Sequence, residues 1–218
     1  QKKIMELEEF VAQTATSAKW TEQDIKTAML HLHDEGEIAY RDYFACVLLD
    51  PTWLCSTVMG RILSSNEQYE QRKQSFVPPS DARFTVEQIG EVAELESDTQ
   101  REFVVNLLQS LKFCVKEDDG RYLFPSRLRP LDVLSENDKW ATSDEEDAVF
   151  IGRRLACGGT QKADFFTPGL FPRLQLALRA LAPSEDFCKL WKRGLQLQKD
   201  GAVARVESVV LDWSCGHP

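Results

Sequence analysis

Apolar residues recur along this chain with two spacings, and each spacing predicts a different element. Ile4, Leu7, Phe10 and Val11 fall on one side of a helix over residues 3–13. Ile25, Ala28, Met29 and Leu32 follow at i, i+3, i+4 and i+7, which is the helical period. Thr21 is placed to cap this second helix, and Gly36 to end it in a left-handed conformation. The residues Ile38–Tyr40 and Phe44–Leu49 then read as two strands joined through Arg41-Asp42-Tyr43. The second of these strands runs straight into Asp50-Pro51, an N-cap followed by a proline at the first helical position. Trp53, Leu54, Val58 and Ile62 give the helix that starts there an apolar side, ending near Leu63. Helix, helix, hairpin is the order of a winged helix.

The polar stretch 64–82, with Pro78-Pro79, reads as a linker. Thr85-Val86-Glu87-Gln88 and Ser97-Asp98-Thr99-Gln100 both carry the capping-box pattern. Val86, Ile89 and Ala93 follow the first; Phe103, Val104, Leu107, Leu108 and Leu111 follow the second. Asp118-Asp119-Gly120 then turns a hairpin between residues 113–116 and 122–124. The order helix, helix, hairpin thus occurs twice. After the acidic stretch Leu134–Asp147, residues 149–151 read as a strand and Gly158-Gly159 as a turn. Leu170, Leu174, Ala177, Leu178 and Leu181 line one side of a helix, expected to lie against a sheet with Arg173 directed away from it. Residues 187–192, 195–198 and 203–211 read as strands, the last two joined by Lys199-Asp200-Gly201. The predicted class is α+β: a helical front module with winged-helix-like units, then a mainly antiparallel sheet module with a packed helix. The boundary is expected in the acidic stretch, giving residues 1–140 and 141–218.

Composition sharpens this division. The 218 residues are 43% hydrophobic, enough for a folded core, and no apolar run reaches membrane-spanning length. The net charge is −9. Residues 1–148 hold 16 Lys+Arg and 29 Asp+Glu, net −13; residues 149–218 hold 10 and 6, net +4. Such a division suits docking onto surfaces of opposite sign. The first residues lack both an initiator Met and an apolar signal region, which reads as a start inside a longer polypeptide. Six cysteines without a C-x-x-C pair suggest reduced thiols and a cytoplasmic setting.

Candidate chemistry is sparse. No G-x-x-x-x-G-K-[ST] loop occurs, so no nucleotide cofactor is expected on this segment. His31 and His33 are two apart on a predicted helix and face different ways, a poor metal pair. Asp118-Asp119-Gly120 lacks the remaining spacing of a calcium loop. Thr142 and Ser143 precede acids and form a weak phosphorylation pattern. Nucleic-acid binding, the alternative that winged helices raise, is opposed by charge: residues 21–35 carry Lys26 against Glu22, Asp24, Asp34 and Glu35. No catalytic residue, metal or cofactor is assigned.

Three motifs carry a resemblance. Gly36-Glu37-Ile38 with Leu49-Asp50-Pro51-Thr52-Trp53-Leu54 resembles the first half of the COR domain of Roco proteins, the segment after their Ras-like Roc GTPase domain. Phe166-Thr167-Pro168-Gly169-Leu170-Phe171-Pro172-Arg173-Leu174 resembles a helix start in the second half, and Leu190-Trp191-Lys192-Arg193-Gly194 the strand after it. The spacing in the last third is similar to the death-associated protein kinase branch. The resemblance implies a COR-A-like module over 1–140 and a COR-B-like module over 141–218, the latter shorter than is usual in the family. It implies a non-catalytic regulator that packs on the Roc domain of its own chain and couples nucleotide state to homodimerisation. Such proteins often carry a kinase domain as well. The matched motifs place Roc-facing candidates at Val47, Asp50 and Trp53, and dimer-interface candidates at Phe166, Leu170, Phe171 and Arg173.

Overall fold

The computed structural model describes residues 2–64, 78–130, 151–153, 169–182, 184 and 187–208. The chain is of the α+β class, with helices and small antiparallel sheets. It divides into two compact units, Gln1–Leu111 and Lys112–Pro218. The acidic stretch where a boundary is expected, with Thr142 and Ser143, lies outside the described residues, as do the Gly158-Gly159 turn and residues 149–150 of the strand expected at 149–151, of which the described Ile151 is not in a strand.

The first unit starts on a strand where the spacing of Ile4, Leu7 and Phe10 predicts helix. Strand β1 (Ile4–Glu6) precedes helix α1 (Leu7–Ala18). Its partner is β2 (Cys46–Leu48), antiparallel, with Ile4 opposite Leu48 and Glu6 opposite Cys46. The backbone groups of Ile4–Glu6 find partners some forty residues away, and that pairing displaces the helical start to Leu7. Leu48 also bridges Ala39, with two backbone hydrogen bonds of 3.0 Å. The expected hairpin between residues 38–40 and 44–49 is therefore a single bridge on one side of β2.

Helix α2 (Glu22–Asp34) begins as its sequence dictates. Thr21 accepts from the Asp24 N–H, and the Asp24 carboxylate accepts from the Thr21 N–H, a reciprocal capping box. Gly36 follows at φ +80°, satisfying the left-handed exit. Ile25 and Met29 from α2 are buried with Ile38, Tyr40 and Val47, and Leu7, Phe10, Val11, Ala15 and Leu49 pack around them.

Asp50 and Pro51 open the next helix as predicted. Helix α3 (Pro51–Trp53) passes through a π-helical stretch, Leu54–Met59, into α4 (Gly60–Leu63). Leu54, Val58, Met59 and Ile62 are buried. Strand β3 (Arg83–Phe84) leads to α5 (Val86–Val92), capped by a Thr85–Gln88 box. Helix α6 (Asp98–Ser110) has Ser97 at its N-cap, but the Ser97 side chain makes no capping bond, unlike the expectation from its sequence. Phe103 of α6 meets Phe44 ring edge to ring face, with centroids 5.2 Å apart.

The second unit opens on a hairpin of β4 (Val115–Lys116) and β5 (Tyr122–Leu123). Gly120, at φ +83°, makes the turn. The second helix–helix–hairpin set thus has its helices in the first unit and its hairpin in the second. A 3-10 turn (Pro125–Arg127) follows. Helix α7 (Leu170–Arg179) precedes a three-stranded antiparallel sheet of β6 (Cys188–Trp191), β7 (Gly194–Lys199) and β8 (Ala202–Glu207). The Leu190–Gly194 motif is not one strand. It holds the end of β6, a turn at Lys192-Arg193 and the first residue of β7. Asp200 (φ 52°) and Gly201 (φ 77°) form the β7–β8 turn, where both residues need positive φ.

Candidate functional site

The Asp50 carboxylate joins two elements at the start of α3. Its Oδ1 accepts from the Trp53 N–H at 2.9 Å, the bond an N-cap makes. Its Oδ2 accepts from Lys3 Nζ at 2.7 Å. Lys3 is also tied through its backbone, since its carbonyl accepts from Leu49 N–H at 2.8 Å. The Lys3 ammonium first, and the Trp53 amide second, hold the Asp50 carboxyl below the usual carboxylate range. Asp50 and Trp53 are half-buried and contribute surface, whereas Val47 is wholly buried in the core and contributes none. The structure therefore brings Asp50 and Trp53 together on one helical turn and places Val47 behind them.

Helix α7 is oriented differently from its apolar spacing. Its buried residues are Gln175 and Leu176, while Leu170 and Leu174 are 39% and 40% exposed and Leu181, just past the helix, 62%. The expectation that Leu170 and Leu174 pack against the sheet is thus corrected. The reason is a polar anchor. Gln175 Nε2 donates to the carbonyls of Trp191 (2.7 Å) and Gly194 (2.9 Å), which flank the β6–β7 turn. Satisfying two buried carbonyls with one amide fixes which side of the helix faces inward. The corner itself is tight: a Cβ on Gly194 would lie 2.2 Å from the Trp191 indole. Arg173 is exposed, Phe171 is half-buried, and Phe166 lies outside the described residues. Sequence reading missed Gln175 because a glutamine between two leucines reads as the polar side of a helix.

Three further titratable groups, Cys114, Cys188 and Tyr40, are shifted by their surroundings. Burial pushes the Cys114 thiol up to about 12 and that of Cys188 up to about 11, so both stay protonated near neutrality. Burial, with Asp42 as hydrogen-bond acceptor at 2.8 Å, pushes Tyr40 up to about 12. Cys46, Cys55, Cys114 and Cys188 are free thiols; Cys55 is exposed, against the apolar setting expected of most cysteines, and Cys157 and Cys215 lie outside the described residues. His33 Nδ1 lies 3.4 Å from the Ile38 carbonyl, and His31 is exposed. Among the described residues no cluster of three or more His, Cys, Asp or Glu is arranged to hold a metal ion. Lys26, the one lysine of α2, pairs with Glu22 at 2.7 Å on a helix that also carries Asp24 and Asp34, a balance that disfavours a phosphate backbone. An open depression of about 190 Å³ beside the β4–β5 hairpin mixes Lys116 and Arg179 with Asp118 and Ser184, and selects no charge type. No helix among the described residues is long and apolar enough to cross a membrane.

These features define an α+β protein with a capped, ion-paired helix start in one unit and an outward apolar helix stripe in the other. No family model matches the chain. It is similar to Protein TORNADO 1 of Arabidopsis thaliana, with 27% identity over 159 residues, 67% of this chain. The match spans 11% of that protein's length.

Proposed function

We propose that this chain is a COR-type regulatory segment of a Roco protein, acting as a shaped surface without catalysis of its own. In this reading its first unit packs on a Roc GTPase domain of the same polypeptide, and its second unit pairs with a second copy. Nucleotide state would alter the first contact and so bias the second, a population shift between packed states. The setting is cytoplasmic signalling, with a kinase domain elsewhere in the polypeptide as a further part of the reading. Three motifs in family order, the α+β class and the similarity to TORNADO 1 support it.

The observation that carries it is the outward stripe of α7. Leu170, Leu174, Ala177 and Leu181 are exposed at i, i+4, i+7 and i+11, with Arg173 beside them. An apolar stripe next to an exposed arginine has the composition of an interface core and its anchor. On the first unit, Asp50 and Trp53 are the surface residues proposed to meet the GTPase domain.

The test uses a polypeptide that includes the preceding GTPase domain. Arg173→Glu is expected to weaken self-association at least tenfold in sedimentation velocity while the far-UV circular dichroism and unfolding midpoint stay at parent values. Unchanged dimer affinity would remove Arg173 from the interface. A second variant, Leu174→Asp, decides whether the stripe as a whole pairs.

A further inference from the structure

The helix from Pro51 to Leu63 is pinned at both ends by different parts of the first unit. At its start, Asp50 holds Lys3 at 2.7 Å and the Trp53 amide at 2.9 Å, and the Lys3 carbonyl holds the Leu49 amide. The N-terminal end is therefore fixed to strand β1. At its far end, Arg61 Nη1 donates to the Val92 carbonyl at 2.8 Å and pairs with Glu94 at 2.6 Å, while Val58 and Ile62 are fully buried. The C-terminal end is therefore fixed to α5. Between the two anchors the helix is not α but π, over Leu54–Met59.

A π turn closes each hydrogen bond one residue further along than an α turn, so it takes up one extra residue without unwinding. Segments on either side are thereby rotated relative to a continuous α-helix by about one residue, roughly 100°. Two rigid attachments that do not share one helical register force such slack into the stretch between them. No proline or glycine lies within Leu54-Cys55-Ser56-Thr57-Val58-Met59, and the one local side-chain bond to the ladder there is the Ser56 hydroxyl donating to the Thr52 carbonyl at 2.6 Å.

We propose that Lys3 and Asp50 form a register clamp, and that releasing Lys3 lets residues 54–59 exchange between π and α hydrogen bonding, turning Pro51–Trp53 against Gly60–Leu63. Displacement of the chain just before Ile4 is then felt at Trp53. The inference concerns a motion within the first unit and holds whatever binds there.

Lys3→Met removes the ammonium and keeps the side-chain length, leaving the Asp50 cap intact. Amide hydrogen exchange in this variant is expected to quicken about two- to fivefold at Leu54–Met59, the range one exposed ion pair allows. Exchange in α2 should keep parent rates. Glu9→Gln, which removes the ion pair of Glu9 with the neighbouring Lys2, serves as control and should leave Leu54–Met59 unchanged. Quickening confined to Met5–Leu49, with Leu54–Met59 at the parent rate, would overturn the clamp. Equal quickening in the Glu9→Gln control would overturn it too, by showing a nonspecific effect of charge.

Discussion

Helix α2 buries Ile25 and Met29; helix α7 buries Gln175 and Leu176 and leaves Leu170 and Leu174 in contact with solvent. Both sequences are amphipathic with the same period. Helix α2 lies over β2 and against α1, so its apolar side meets other apolar side chains from three elements. Helix α7 meets a hairpin corner whose carbonyls point outward from the β6–β7 turn, and an amide is what that corner accepts. Amphipathicity states that a face favours burial. It does not state what surface will cover it, and an uncovered stripe is open to association.

The largest expected effect separates the two helices directly. Met29→Ala should destabilise the first unit by about 2–5 kcal/mol through lost burial and a residual cavity. Leu174→Ala should change stability by no more than about 0.5 kcal/mol, as exposed positions do. Urea unfolding of both variants checks the contrast. A Leu174→Ala loss as large as that of Met29→Ala would mean that the stripe is covered within the chain.

A smaller effect belongs to the polar anchor. Gln175→Leu keeps volume and adds apolar area, yet strips the Trp191 and Gly194 carbonyls of a shared donor. A loss of about 1–3 kcal/mol is expected in the second unit, measured by thermal unfolding. A neutral or stabilising outcome would show that shape, rather than the amide, orients α7.

The smallest effect is set by pH. Asp24, Asp50 and Glu87, all in the first unit, have carboxyls held below the ordinary range by Thr21, by Lys3 with Trp53, and by Thr85 respectively. A carboxyl whose folded pKa is lowered binds fewer protons than it does unfolded. Its contribution is present above the unfolded value, about 4, and fades as pH falls through the folded value. The urea unfolding midpoint of the first unit should therefore fall gradually below about pH 4. No change from pH 6 down to pH 3 would show that these caps and ion pairs contribute nothing measurable.

What local chemistry fixes was legible residue by residue. Asp50-Pro51, Thr21 with Asp24, and Thr85 with Gln88 each cap a helix through groups at most three residues apart. Gly36, Gly120 and Gly201 each take the positive φ their turns require. The α+β class follows from the succession of such signals. Even here Ser97 shows the limit, since its capping pattern is present and its bond is not.

What distant partners fix was not legible. Ile4–Glu6 belongs to a helical pattern and becomes a strand because β2 offers unpaired backbone groups there. Residues 54–59 read as ordinary helix and become π where the two ends of that helix are held by different elements. Gln175 reads as surface and becomes fully buried because two carbonyls of a remote turn need a donor. Caps and turns were decided by the sequence alone, since both partners lie within one turn of chain. The pairing of β1 with β2, the register of the helix after Asp50 and the direction α7 faces were decided by the tertiary structure, because their partners are separated by sixteen residues or more and meet only once the chain has folded.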